Sequence, residues 1–472
     1  MLCAVVFFAA VAARADTIVL KNGRRIVANN VREEGDKVKY ETSAGELSLP
    51  KSIVDHIEKG GGVPMGDSPA AAAANLAITP PAMGTISGGT EIESGAVHDG
   101  AIDREYIARL EAAAHAGDQR ANAAAAVAHH AAAQFELSRG DMERALADER
   151  TALTFAPEEP TLLMNVAYLH LRRSEYKQSL DYLERALRVA PGNADVAKLA
   201  GWAYYGLNKI DQAVAEWKRA LALRADPEVQ AALDKAQRDK QEEESYKENE
   251  SSHFTLRYSG AAEPALARDI LHTLEAHFSA IESELNFAPA DSIGVVLYTQ
   301  QAFADITRAP GWVGALNDGR IRVPVQGLSG VTPELSRVLK HELTHSFVGQ
   351  KTRGHAPTWI QEGLAQWMEG KRSGDNAVVL AQVFQDGHAP SLGQLEGSWM
   401  GLQSDAAGYA YAWALANIEY IVQTDGMGDV ERILERIGGG SSTEAALREV
   451  LHSDYSDLMQ STAEYLRKNY GR

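Results

Sequence analysis

Two histidines four residues apart, with a carboxylate beside the first, carry the most chemistry in the sequence: His341-Glu342-Leu343-Thr344-His345. On a helix, positions i and i+4 share a face, so both imidazoles reach one metal ion while Glu342 addresses a water bound to it. The flanking residues punctuate such a helix. Thr332 is a candidate N-cap, Pro333 the first helical position, Glu334 an acid in the first turn and Gly349 a stop just past the end. Leu335, Val338, Leu339, Leu343 and Phe347 recur at three- and four-residue steps and predict one apolar stripe with the two histidines beside it. Catalytic zinc takes three protein ligands and keeps a fourth position open, so a third ligand must lie nearby. Glu362 is the candidate. It sits in Pro357-Thr358-Trp359-Ile360-Gln361-Glu362-Gly363-Leu364-Ala365-Gln366-Trp367, a second predicted helix led by proline, with Ile360, Leu364 and Trp367 at core spacing.

H-E-L-T-H followed by W-I-Q-E-G-L-A resembles the gluzincin metallopeptidases, and within them the bacterial peptidase MA-like domains, over roughly residues 250 to 465. The resemblance implies a thermolysin-like α+β domain in which His341, His345 and Glu362 hold Zn2+ and Glu342 is the general base. It also implies a tyrosine that donates to the oxyanion of the tetrahedral intermediate. Gly408-Tyr409-Ala410-Tyr411-Ala412-Trp413 lies the right way downstream, ahead of a helix through Leu415, Ile418 and Ile421. Resemblance favours Tyr409, and Tyr411 stays open. No G-x-M-E-N segment occurs, so the aminopeptidase specificity of the larger gluzincins is unsupported. His355 does not fit the metzincin pattern either, because residues 346 to 351 lack its Gly and His at the required places.

The elements that must position these residues are legible as alternating and periodic segments. Residues 253–259 and 293–299 read as strands, with a long helix between them led by Pro264. Gly319 to Val325 reads as an edge strand just upstream of the metal helix, since Pro324 is tolerated only at an edge. In thermolysin-like folds such a strand lines the cleft and holds an extended substrate by strand addition. Residues 250–472 are expected to be a self-contained catalytic domain, closed by a helix opening at Ser441-Ser442-Thr443-Glu444 and another from Asp454 to Tyr470.

Between about residues 120 and 235 small residues return every 34 positions: Ala133, Ala167 and Gly201; Ala145, Ser179 and Ala213; Ala152, Ala186 and Ala220. This period resembles tetratricopeptide repeats, and the predicted α-helical array spans residues 101–245. Such a solenoid offers a concave face to a protein partner. A charged helix from Glu228 to Glu250 leads out of it. Upstream, residues 16–59 alternate apolar and polar positions broken by Asn22-Gly23, Gly35-Asp36 and Ala44-Gly45, which predicts a small β-sheet or barrel module. Residues 60–100 are rich in Gly, Ala and Pro and read as a linker. Leu2 to Ala13 is an apolar run too short to span a bilayer, followed by Ala13-Arg14-Ala15, so residues 1–15 read as a signal peptide and the protein as exported, periplasmic or secreted.

The chain of 472 residues is too long for one core, and its single cysteine lies in the leader, so the mature protein has no disulfides. A net charge of −18 disfavours nucleic acid and anionic membrane as partners, and no apolar run in the mature chain is long enough for an integral membrane segment. The expected fold is therefore multidomain α+β: a β module, a tetratricopeptide-repeat solenoid and a zinc peptidase domain with C-terminal helices. The expected function is that of an exported zinc endopeptidase acting on protein or peptide substrates. The alternative is an inactive repeat scaffold with a structural metal site, which the intact Glu342 argues against, since structural zinc needs no general base.

Overall fold

The computed structural model describes residues 15–20, 25–35, 37–42, 45–62, 86, 90–138, 141–259, 264–307, 315–325, 327–397, 399 and 404–471. The expected leader, up to Arg14, and most of the expected linker lie outside the described residues. Five strands come first: β1 (Ala15–Leu20), β2 (Arg25–Glu34), β3 (Lys37–Thr42), β4 (Gly45–Pro50) and β5 (Val54–Gly62), antiparallel in the order β4-β3-β2-β1-β5. Among the described side chains, Ile18, Val31, Val38, Tyr40 and Val54 are their buried positions. The stretch expected to be linker from 60 to 100 is structured at both ends. β5 runs on to Gly62, and α1 (Thr90–Ala96) is followed by the short hairpin β6 (Val97–His98) and β7 (Ala101–Ile102).

Eight helices follow: α2 (Arg104–His115), α3 (Gln119–Ser138), α4 (Met142–Phe155), α5 (Pro160–Arg172), α6 (Tyr176–Val189), α7 (Ala194–Gly206), α8 (Ile210–Leu223) and α9 (Pro227–Glu243). The recurring small residues are where helices cross. Ala133, Ala145, Ala152, Ala167, Ser179, Ala186 and Ala213 are each 0% exposed. At Gly201 a Cβ would lie 2.3 Å from the Trp217 ring, so only glycine admits that indole. Polar contacts recur with the same period. Arg185 donates to the Pro157 carbonyl and Arg219 to the Pro191 carbonyl, both at 2.7 Å. α9 stops at Glu243 rather than Glu250, because Lys247 to Glu250 turns back as a strand whose charges suit a sheet edge.

The rest of the chain comprises β8 (Lys247–Glu250), β9 (Phe254–Tyr258), α10 (Pro264–Leu285), β10 (Ile293–Tyr298), α11 (Gln300–Thr307), β11 (Leu316–Asn317), β12 (Arg320–Pro324), α12 (Pro333–Lys351), α13 (Thr358–Met368), α14 (Gly374–Gln385), α15 (Ser404–Thr424), α16 (Met427–Gly438), α17 (Thr443–Leu451) and α18 (Tyr455–Tyr470). The sheet order is β11-β12-β10-β9-β8, parallel at its centre and antiparallel at both edges. β12 is therefore not the edge strand the sequence suggested. The amide of Val325 donates to the Tyr298 carbonyl of β10, so the Pro324 nitrogen points the opposite way, toward β11. Among the described residues β11 pairs only with Ile321 and Arg322, and the position that would face Pro324 in this register lies outside them.

The sheet buries both faces. Ile321, Val323, Val295 and Leu297 pack into the main core with α10 and α12. Val296, Tyr298 and Leu316 pack with Phe303 and Ile306 on the other face. That second face also buries Arg320 and Arg322, which are 1% and 0% exposed and meet Asp239 and Glu243 of α9. The last helix of the array thus supplies counter-charges to the sheet of residues 247–324, alongside Asp318 of that sheet's own β11–β12 turn. Among the described residues no helix is long and apolar enough to cross a membrane.

Candidate metal centre

α12 starts as its sequence dictates. The Thr332 hydroxyl accepts the Leu335 amide at 3.0 Å, and Pro333 occupies the first turn, where a missing amide costs nothing. It does not stop at Gly349. The helix continues to Lys351 and ends where Arg353 and Gly354 take positive φ of 55° and 74°. Leu335, Leu339, Leu343 and Phe347 are wholly buried and hold one face of α12 in the core. His341 and His345, one turn apart, are thereby aimed inward together.

α13 carries Glu362 to the same place. Gly363 makes that possible: a Cβ there would lie 2.3 Å from the Ala414 carbonyl oxygen, so glycine lets α15 cross α13 at close range beside the carboxylate. Gln366 holds the crossing, donating to the carbonyls of Glu362 at 3.1 Å and Tyr411 at 3.0 Å.

One ligand atom from each of His341, His345 and Glu362 lies within 4.8 Å of the others. All three residues are buried. The Nε2 atoms of both rings and both oxygens of Glu362 make no hydrogen bond, although buried polar atoms are nearly always satisfied. His341 Nε2 to Glu362 Oε2 is 3.5 Å and His345 Nε2 to Glu362 Oε1 is 3.9 Å, separations that suit a shared cation better than mutual bonding. Two imidazoles and one carboxylate are the donor set of a catalytic zinc site.

The three groups also feel one another's charge. Burial pushes the Glu362 carboxyl up to about 7 against the pull of His341. Burial also opposes charge on His341, but the Glu369 carboxylate and Glu362 outweigh it and raise that ring to about 10. His345 is held well below its usual value, by burial first and then by the charge on His341. Positive charge at this point stabilises the carboxylate that burial disfavours.

Glu342 is 0% exposed and follows His341 directly. Of the two tyrosines, Tyr409 is 44% exposed, while the Tyr411 phenol is raised well above its usual range by burial and then by the charges of Glu362 and Glu342. Both lie inside α15 rather than ahead of it, and two residues on a helix turn roughly 200°. Only one of them can face the carboxylates, and it is Tyr411; Tyr409, which the resemblance favoured as the donor, is turned toward solvent.

Four residues near the site escaped the sequence reading. Glu369 places Oε1 3.2 Å from His341 Nδ1 and is itself paired with Lys371 at 3.0 Å. The Gln361 side-chain oxygen lies 3.4 Å from His345 Nδ1. Trp399 meets the Tyr411 ring edge-on at 4.9 Å. Asn317 of β11 donates to the Glu342 carbonyl at 2.8 Å. Glu369 and Gln361 were traceable, because Gln361 lies on the helix that carries Glu362 and Glu369 caps its C-terminus; Asn317 and Trp399 reach the site only through tertiary packing.

Comparison with known proteins agrees with this division. Residues 334–468 match the Peptidase MA superfamily, and residues 170–236 match a tetratricopeptide repeat. A peptidase MA superfamily domain therefore follows tetratricopeptide repeats in this chain. Among curated proteins, the Arabidopsis thaliana "Protein CTR9 homolog" is 32% identical over 101 residues, which is 21% of this chain and 9% of that protein. The chain thus matches less than a tenth of that relative's length. Among solved structures, the first TPR domain of the human RPAP3 protein is 18% identical, covering 25% of this chain and 94% of that one with a TM-score of 0.24. MamA from Desulfovibrio magneticus RS-1 is 20% identical, covering 29% and 75%, with a TM-score of 0.25.

Proposed function

We propose that the protein is a zinc-dependent endopeptidase that acts outside the cytoplasm and uses its repeats to recruit a protein substrate or partner. The observation that carries the proposal is the convergence of three buried ligand atoms, left without hydrogen bonds, beside a buried glutamate. His341, His345 and Glu362 would hold the metal, and Glu369 and Gln361 would orient the two rings through their Nδ1 atoms. When bound, zinc polarises the scissile carbonyl and makes hydroxide available near pH 7. Glu342 takes the proton of the attacking water and passes it to the leaving amine. The Tyr411 hydroxyl donates to the developing oxyanion, and its raised pKa keeps that proton available at neutral pH. Export rests on the apolar run and Ala13-Arg14-Ala15 site.

The test is metal analysis of the purified protein together with digestion of an internally quenched peptide library. One zinc per chain and internal cleavage are expected. Glu342→Gln should keep the metal and lose turnover by about 10²- to 10⁴-fold, the range of a general base. Wild-type cleavage by that variant would refute the general-base role of Glu342, and a metal-loaded protein that cleaves nothing would leave the scaffold reading in its place.

A further inference from the structure

The strand that leads into the metal helix is held from an unexpected side. Along Arg320-Ile321-Arg322-Val323 the apolar residues enter the main core and the arginines face α9, the last helix of the array. Arg322 is bidentate on Asp239, with both bonds at 2.9 Å, and Arg320 donates to Glu243 at 2.6 Å. Tyr205 of α7 closes the arrangement, accepting from Arg322 at 3.0 Å and donating to Asp239 at 2.9 Å.

The same contacts extend through the β11–β12 turn to the catalytic helix. Asp318 accepts Arg322 Nε at 2.9 Å and is paired with Lys235 of α9. Gly319, at φ +98°, makes the turn tight and places its amide 3.1 Å from Asn317 Oδ1. That bond settles which end of the amide is oxygen, so Nδ2 points the other way. Its two hydrogens go to the Glu342 carbonyl at 2.8 Å and the Ser346 hydroxyl at 2.7 Å. Asn317 is 3% exposed, and its donors are spent on the turn of α12 that bears the glutamate and both histidines.

We propose that Asn317 is a positioning residue for Glu342 and that the β11–β12 turn, gripped by Lys235, Asp239 and Glu243, couples the repeat array to the catalytic helix. Rotation or sliding of α12 by a fraction of a turn would carry the Glu342 carboxylate away from the point where His341, His345 and Glu362 converge. The array therefore sets the reach of the base, and a protein bound to the repeats acts on turnover by way of α9. The turnover part of this inference rests on the peptidase reading; the mechanical part does not.

The experiment uses the full-length, zinc-loaded protein and four variants: Asn317→Ala, Lys235→Met, Lys235→Arg and the double variant Asn317→Ala/Lys235→Met. Lys235 is partly exposed, so its loss leaves the fold intact if Asn317→Ala proves unstable. Amide hydrogen exchange over residues 341–346 should accelerate by about tenfold in Asn317→Ala and Lys235→Met, with α16 unchanged, and Lys235→Arg should restore protection. Turnover of a short peptide should fall by about tenfold with KM within about twofold and zinc retained. The double variant should be no worse than Asn317→Ala, because both act through one turn. Unchanged exchange in Asn317→Ala, or losses that multiply in the double variant, would overturn the coupling. Faster exchange in variants of a protein that cleaves no peptide would refute the peptidase reading alone and leave the coupling standing.

Discussion

Two clusters of buried ionisable residues lie on either side of Asn317, and they differ in what their atoms bond to. Around Arg320 and Arg322 the charges are paired: two guanidiniums meet Asp239, Glu243 and Asp318, and two tyrosine hydroxyls complete the network. Around His341, His345 and Glu362 the inward atoms are buried and make no hydrogen bond. Burial costs both clusters the same hydration, and only partners can return it. The first pairs every charge with an opposite one inside the chain and leaves only Arg320 Nε without a bond, which marks it as architecture. The second turns its free donor atoms toward one point, as a cation site would, which marks it as a candidate site.

That contrast can be broken by removing one carboxylate from each cluster. Glu362→Ala should abolish metal binding and peptide cleavage yet leave the melting temperature of the metal-free protein unchanged or higher, because it deletes a carboxylate that burial already disfavours. Asp239→Ala should do the reverse in the metal-free protein, lowering stability by about 3 kcal/mol because the buried Arg322 loses its bidentate partner and keeps only Asp318 as counter-charge. Equal destabilisation of the metal-free forms would erase the distinction. Tyr411→Phe sharpens the contrast within the site. Turnover should drop by about 10²-fold with KM little changed, while Tyr409→Phe stays near wild type; reversed results in steady-state kinetics would return the role to Tyr409. The smallest effect is expected at Glu369. Glu369→Gln should weaken zinc about 10- to 100-fold in a competition titration with a chelator while the fold is kept, since the ring of His341 loses only its orienting carboxylate. Undiminished affinity would mean that Glu369 serves Lys371 and not the metal.

Local rules made much of the site legible. The spacing of His341 and His345, the Thr332 cap, the proline-led helix of Glu362 and the recurring small residues of the array each report on the few residues around them, and each reads the same in the folded chain. Local rules also misled. Arg320-Ile321-Arg322-Val323 alternates like a strand with one wet face, because alternation records two environments without saying whether the second is water. Pro324 suggested an edge, and the strand has a neighbour on either side.

The sequence by itself determined which residues could bind a metal, on which helices they stand and with what period the repeats recur, since these depend on 3.6 residues per turn and on side-chain chemistry. Tertiary structure alone decided that Tyr411 rather than Tyr409 faces the carboxylates, that Glu369 stands behind His341, and that α9 neutralises the sheet beside the metal helix. Asp239 and Arg322 are 83 residues apart in the chain, and Asn317 and Glu342 are 25 apart. Contacts across such distances leave no periodic mark in the sequence. They exist because burying a charge or an amide demands a partner, and the fold, not the local chain, brings that partner within reach.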